Sequence, residues 1–211
     1  MAQFFEVHPD NPQPRLLRQA VALLAQGGIL AVPTDSSYAL VCHLDDKAAV
    51  DRLRQIRAVD DKHHLTLLCR DLSELANYAR VDNHQYRLLK SVTPGPYTFI
   101  LEATREVPRR VSHPQRKTIG LRVPQHAALQ ALLALHGAPL LATTLILPGD
   151  DQPLNDAQTI RERLEHPLAG VIDAGACASE PTTVVDLSPM ADGGVPIVLR
   201  QGRGEVAALG L

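Results

Sequence analysis

A chain of 211 residues, 45% of them apolar, is long enough to bury a substantial core, and its length favours one domain over residues 1–211. Lys+Arg 21 against Asp+Glu 23 leave a net charge of -2, which excludes a global attraction to nucleic acid or to an anionic membrane. The three cysteines, Cys42, Cys69 and Cys177, are odd in number and widely spaced, so neither a disulfide framework nor a zinc cluster is indicated and a reducing cytoplasm fits best.

The opening MAQFFEVHPDNPQPR has no charged region leading into a long apolar stretch, and no window reaches about 18 uninterrupted apolar residues, so a soluble, non-exported chain is expected. Residues 14–26 set Leu16, Leu17, Ala20, Leu23 and Leu24 on one helical face, and Gly27-Gly28 supplies the stop. ILAVP then reads as a strand and runs into the hydroxyl-rich PTDSSY before ALVC turns apolar again. Asp46 can cap a helix carrying Val50, Leu53 and Ile56, and LTLLC is a short apolar run. Asp71 with Glu74, and Asp82 with Gln85, have capping-box spacing and predict two short helices.

TPGPYTFIL places a Pro-Gly-Pro turn before a β-rich run, and TIGLRVP is a strand ended by proline. Residues 126–135 read as a helix with Gly137 as its cap; PLLATTLIL reads as a buried strand, and a further capped helix begins near Asp156. GVIDAG, TTVVDL and PIVLR are three late β-rich pieces. Alternating helices and strands followed by consecutive strands predict an α/β fold, a twisted mixed sheet covered by helices. Between Arg105 and Arg122 lie Arg109, Arg110, Arg116 and Lys117 with only Glu106 opposing them, a stretch that is either a polyanion surface or a solvated basic loop.

Several signatures are missing. There is no GxxxxGK[ST], and GRGEVA, although it satisfies GxGxxA, sits too near the C-terminus for the helix and second strand that make the fingerprint work, so it reads as a terminal turn. No HExxH or HxH exists among nine histidines, and His63-His64 are adjacent rather than on one helical face, so no metal site is expected. GxSxG is absent, and Cys42 and His43, as strand neighbours, point to opposite faces and cannot form a nucleophile–base pair.

PTDSSYALVC, TPGPYTFIL, TIGLRVP, EPTTVVDL and LRQG occur in this order, and together they resemble the YrdC/YciO family, which includes the L-threonylcarbamoyladenylate synthases; FFEVHPDNPQPRL and CRDLSELANYARVDN resemble its YciO branch. The resemblance implies a twisted sheet around an open, basic concave cleft. It also implies condensation of L-threonine, bicarbonate and ATP with Mg²⁺ to threonylcarbamoyl-AMP and pyrophosphate, for modification of tRNAs reading ANN codons, with no tightly bound cofactor. Carried over by motif, Thr34 and Tyr38 line the amino-acid pocket and Asp35 holds the strand-end turn through backbone hydrogen bonds. Thr118 and Arg122 face the same cleft, with Arg122 a partner for carboxylate or phosphate. Thr182, Thr183 and Arg200 approach ATP. For each of these residues simple turn or strand structure stays an open alternative.

Two segments depart from the synthase pattern. Where the synthases have K-x-R-P, this chain has Arg57 for the lysine and Val59 for the arginine; where they have S-x-N, it has Thr144 and Ile146. Ile146 can neither donate nor accept a hydrogen bond. Lys62, three residues past Val59, is a candidate to restore the charge. The expectation is therefore a weakened synthase in which Arg57 and Thr144 remain, or a nucleotide- and double-stranded RNA- or tRNA-binding relative using Arg109, Arg110, Arg116 and Lys117. Aromatic residues at only 3% argue against base-stacking recognition of single strands.

Overall fold

The computed structural model describes residues 1–210. Its elements are β1 (Gln3–Glu6), α1 (Pro14–Ala25), β2 (Leu30–Val32), β3 (Ala39–His43), α2 (Lys47–Arg57), β4 (Thr66–Leu68), α3 (Leu72–Tyr78), α4 (Asn83–Val92), β5 (Tyr97–Glu102), β6 (Thr118–Arg122), α5 (Ala127–His136), β7 (Leu140–Thr144), α6 (Ala157–Leu164), β8 (Gly170–Asp173), β9 (Thr183–Asp186) and β10 (Ile197–Arg200), with 3₁₀ turns at Ser188–Asp192 and Val206–Leu209. The expected α/β class is the observed one. All ten strands join one sheet in the order β1-β8-β2-β3-β7-β4-β6-β5-β9-β10. It is mixed: β1–β8, β2–β8, β4–β6 and β5–β9 pair in parallel, and the other pairs are antiparallel.

Local chemistry sets the helix ends. Asp46 accepts from the Ala49 amide at 2.9 Å, Asp71 from Glu74 at 2.8 Å, and Asp156 from Thr159 at 2.7 Å. Asp82 and Gln85 close a full capping box. The expected stop of α1 is met by Gly27 at φ 79°, where an L side chain would be strained. GRGEVA is a terminal turn, as read: Gly204 packs so closely on Tyr97 that a Cβ would lie 2.4 Å from its ring. The strand β1, which the sequence reading left unassigned, is only four residues long and sits at one edge of the sheet. Too few residues alternate there to show a period.

The strands pack on both faces. On one side Phe99, Leu101, Ile119, Leu121 and Val185 meet Leu75 of α3 and Leu89 of α4. On the other, Val32, Val41, Leu140 and Ala142 meet Leu17 and Leu24 of α1 and Leu129, Leu132 and Leu133 of α5. That second layer spans only part of the sheet. Past β7, Leu68 at the end of β4 is the last strand residue in that cluster; β6, β5, β9 and β10 contribute nothing to it, and the cleft forms there.

Candidate functional site

Strand periodicity builds the floor of this cleft. On β4, β5 and β7 the residues that alternate with core positions are Thr66, Thr98 and Thr144, so each apolar strand presents a hydroxyl to the open side. Thr182, just before β9, joins them, and its Oγ1 lies 2.9 Å from Thr98 Oγ1. Gly120 keeps the floor low: a Cβ there would lie 2.8 Å from Thr66 Oγ1. Two connected chambers share Thr66, Thr98, Thr143, Thr144 and Thr182 in their walls. The outer one, of about 360 Å³, is bounded also by Arg57, Lys62, His63, His64, Ile146 and Arg200. The inner one, of about 30 Å³, reaches Ser37, Tyr38 and Arg122.

The inner chamber closes on a buried ion pair. Arg122, at the C-terminal end of β6, is 6% exposed, and its Nη2 donates to Asp35 Oδ1 and, at 3.1 Å, to Thr34 Oγ1. Burial pushes the guanidinium pKa down and Asp35 opposes that shift, which keeps the charge in place. Arg122 Nε is buried with no partner. The roles expected for Thr34 and Asp35 change here. Thr34 ties the strand-end turn, accepting from Ser36 N at 3.1 Å and donating to Ser37 O at 2.6 Å. Asp35, expected to hold that turn, instead neutralises Arg122 and accepts from Gln125 N at 2.9 Å, fastening the turn to a segment distant in sequence. Motif reading could not show this pairing because 87 residues separate the partners.

Tyr38 borders the inner chamber; its ring is fully buried and its hydroxyl is directed at Ile172 O, 3.2 Å, and Gly175 O, 3.4 Å, so its polar end is engaged in the scaffold. One further expectation needs correction. Thr183 lies on the opposite face from Thr182: it is wholly buried, donates to Gly204 O and accepts from Gly202 N at 2.9 Å. It anchors the C-terminal loop. Thr118 is buried at the cleft margin, with Oγ1 3.1 Å from His64 Nε2.

Cations gather along the outer chamber. Arg57, at the end of α2, has a buried Nε without a partner, and burial pushes its pKa down. Arg200 donates to Thr182 O from Nε at 3.1 Å and from Nη2 at 2.9 Å, and burial lowers it also. Both stay protonated at neutral pH, because an arginine does not lose its proton in a protein. Val59 does not line the chamber, whereas Ile146 does. Ile100, Val184 and Leu199 add an apolar wall. His63 and His64, dismissed above as metal ligands, line it too, and so do Thr66, Thr98 and Thr143, which no motif had flagged. A solitary threonine in an otherwise apolar strand (LTLL, YTFIL) was the available signal.

Nucleophilic chemistry has no support here. Cys177, near Arg122 and Asp35, has its thiol pushed up to about 11, chiefly by burial. None of the side chains lining the two chambers is a carboxylate, and among the described residues no group of three or more His, Cys, Asp or Glu is placed to hold a metal ion. The cleft thus offers Mg²⁺ no ligand set of its own.

The basic stretch divides. Arg105, Arg109 and Lys117 line a separate groove of about 730 Å³ with Arg80 and Glu102. Arg110 folds back along the surface and donates to Asp45 O at 2.7 Å, and Arg116 lies 4.0 Å from Asp186. Of the four residues expected to meet RNA, only Arg109 and Lys117 face this groove. Among the described residues no helix is long and apolar enough to cross a membrane.

A model of the Sua5/YciO/YrdC family, described as "Telomere recombination", matches residues 22–202. YciO of Escherichia coli strain K12 is 50% identical over 206 residues, covering 98% of each chain. A crystal structure of E. coli YciO superposes with a TM-score of 0.94 at 49% identity, over 99% of this chain and 100% of that one. A threonylcarbamoyl-AMP synthase of Xanthomonas euvesicatoria pv. vesicatoria is 31% identical over 175 residues, 81% of this chain and 92% of that protein. P. abyssi Sua5, solved in complex with L-threonine, has a TM-score of 0.85 at 24% identity, a likeness of fold; it covers 94% of this chain and 57% of that longer one.

Proposed function

Because the chain belongs to the Sua5/YciO/YrdC family, we propose that it is a slow threonylcarbamoyl-AMP synthase, joining L-threonine, bicarbonate and ATP into threonylcarbamoyl-AMP and pyrophosphate for tRNA modification. The observation that carries this reading is the convergence of Arg57, Lys62 and Arg200, from separate segments, on one chamber that opens onto a hydroxyl-lined recess. In the reaction the threonine amine condenses with bicarbonate, forming the carbamate C–N bond as a C–O bond breaks and water leaves. A carbamate oxygen attacks the α-phosphorus of ATP, and the bond to pyrophosphate breaks. Negative charge grows on the phosphoryl oxygens and the departing pyrophosphate, and fixed cations stabilise it most where water is excluded.

Arg57 suits this role because partial burial has already removed some of its hydration, so an incoming phosphate loses less in competition with water, and Arg200, held at the exposed rim by its bonds to Thr182 O, adds a fixed charge. Arg122 Nε–H is free for the threonine carboxylate, while Asp35 keeps the guanidinium charged and fixed. Thr66, Thr98, Thr144 and Thr182 offer hydroxyls to the ammonium, carbamate and phosphate oxygens. Mg²⁺ would enter on the oxygens of the triphosphate. The reaction is slow because Val59 stands away from the chamber and Ile146 brings no donor into it.

The test is purified protein with ATP, Mg²⁺, L-threonine and labelled bicarbonate. Expected are the adenylate and pyrophosphate at a low rate, and a rise of at least tenfold in Val59→Arg with Ile146→Asn, since one charge-stabilising donor is worth about 10²–10³ in rate. Absence of both products, where an active synthase makes them, rejects the reading.

A second reading, binding of tRNA or duplex RNA, draws on the separate groove of Arg80, Arg105, Arg109 and Lys117. It predicts a steep salt dependence, with a shallower slope of log K against log salt in Arg109→Ala with Lys117→Ala. Association independent of salt would count against it.

A further inference from the structure

The outer chamber contains a titratable group that the reaction above does not use. His63 stands exposed at its mouth, on the loop between α2 and β4, in the same chamber as Arg57, Lys62, His64 and Arg200. This loop is firmly set. Asp60 Oδ1 accepts from Lys62 N at 3.0 Å and from His63 N at 3.2 Å, so the one carboxylate that faces His63 is already engaged by backbone amides. The imidazole itself makes no hydrogen bond among the described residues. Positive charge reaches it from two elements, Arg54 and Arg57 of α2 and Arg200 of β10. Desolvation by the cleft walls comes first, then Arg57 and Arg54, in holding its pKa below the usual histidine range; Asp60 opposes them and Arg200 adds a little.

His64 differs. Its Nε2 is 3.1 Å from Thr118 Oγ1, and its ring stacks on His113 with centroids 4.9 Å apart. That imidazole is fixed, whereas His63 is free to respond.

We propose that His63 is a proton-coupled anion ligand of this chamber: neutral when no ligand is bound, it takes up a proton as a polyphosphate enters and becomes a further cation beside Arg57, Lys62 and Arg200. The inference rests on the nucleotide reading of the chamber and adds to it the group that responds. The physics is reciprocal. An anion that neutralises the surrounding guanidinium groups removes the charge repulsion that, after desolvation, disfavours the imidazolium, and adds its own attraction, so binding favours protonation and protonation favours binding. Polyphosphate affinity attributable to this group therefore rises as pH falls through the range between its ligand-free and ligand-bound pKa values. A cation that forms on demand offsets part of the charge absent at Val59, without adding another permanent repulsion to a cleft already crowded with guanidinium groups.

The experiment is a pH titration of the histidine ring resonances by NMR on the full chain, with and without saturating pyrophosphate, the His63 signal being identified by its loss in His63→Gln. Reading the ring directly separates its proton from those of pyrophosphate itself. Expected are a His63 pKa below 6.5 in the free protein and a rise of about one unit, a tenfold gain in proton affinity, with pyrophosphate bound. His63→Gln should still bind pyrophosphate, with a weaker gain in affinity on acidification. Pyrophosphate bound with an unmoved His63 pKa, or a larger movement at His64 than at His63, overturns the proposal and leaves the synthase reading standing. No pyrophosphate binding at all overturns both.

Discussion

One face of the sheet is built in two ways. Over β2, β3 and β7 it carries Val32, Val41, Leu140 and Ala142 beneath α1 and α5; over β4, β5 and the start of β9 it carries Thr66, Thr98, Ile100 and Thr182 beneath an open cleft. The reverse face is apolar behind both halves, with Leu67, Phe99 and Leu141 all fully buried. The difference teaches that the site is the place where the second helical layer stops. There the strand positions that would meet a helix hold hydroxyls instead, and the charge gathers at the rim, with Arg122 and Asp35 as the one ion pair drawn deep inside.

Breaking that ion pair should have the largest effect. Asp35→Ala strands the Arg122 charge in a buried site and should destabilise the fold by about 3–5 kcal/mol in chemical denaturation, whereas Asp35→Leu with Arg122→Met should recover much of the loss, because an apolar pair of similar volume needs no compensation. If the single and double variants are equally unstable, the pair is not the organising contact. Next comes the covered half: Leu133→Ala, under α5, should cost about 2–5 kcal/mol through lost burial and the cavity left behind. Thr98→Val in the open half sharpens the contrast, since it removes only the bond to Thr182 and should change stability by about 0.5–1.5 kcal/mol, while weakening ligand binding by a comparable amount in calorimetry. A stability loss as large as that of Leu133→Ala would mean that the cleft floor is structural core.

The smallest effect depends on pH. His126 caps α5 by accepting from Leu129 N through Nδ1, which requires the neutral ring, and burial holds its pKa down, with Arg122 lowering it and Asp35 opposing. The unfolded chain therefore binds the proton first. Stability due to this group is present above about pH 6.5 and is lost as pH falls toward the depressed folded value. His126→Asn keeps a cap without titrating, and its stability should be flatter across that interval. An unchanged slope would assign the pH dependence to other histidines.

Much of this was legible before any coordinates. The capping aspartates, the Gly27-Gly28 stop and the strand ended at Val123-Pro124 act through neighbours within four residues, so local sequence carries them. The membership of Arg57, Arg122, Thr144 and Thr182 in one region followed from motif resemblance. What each side chain does there did not follow. Thr34 takes the turn-holding role expected of Asp35, and Asp35 pairs with Arg122 because Arg122 arrives from β6; Thr183 turns from the cleft because strand neighbours point to opposite faces and a phase error of one residue reverses the reading. Arg110, which reads as one more basic surface residue, is taken by the carbonyl of Asp45.

The amino-acid sequence by itself determined the helices, the apolar strands and the family to which they belong, because caps, turns and side-chain period are short-range and survive in one dimension. Only the tertiary structure decided which strand faces lie uncovered, which arginines are paired and which remain available to an anion, and that His63 stands among them with its ring unpartnered among the described residues. Those depend on burial and on charges brought together from distant segments, and neither distance nor solvent access is written in the order of residues.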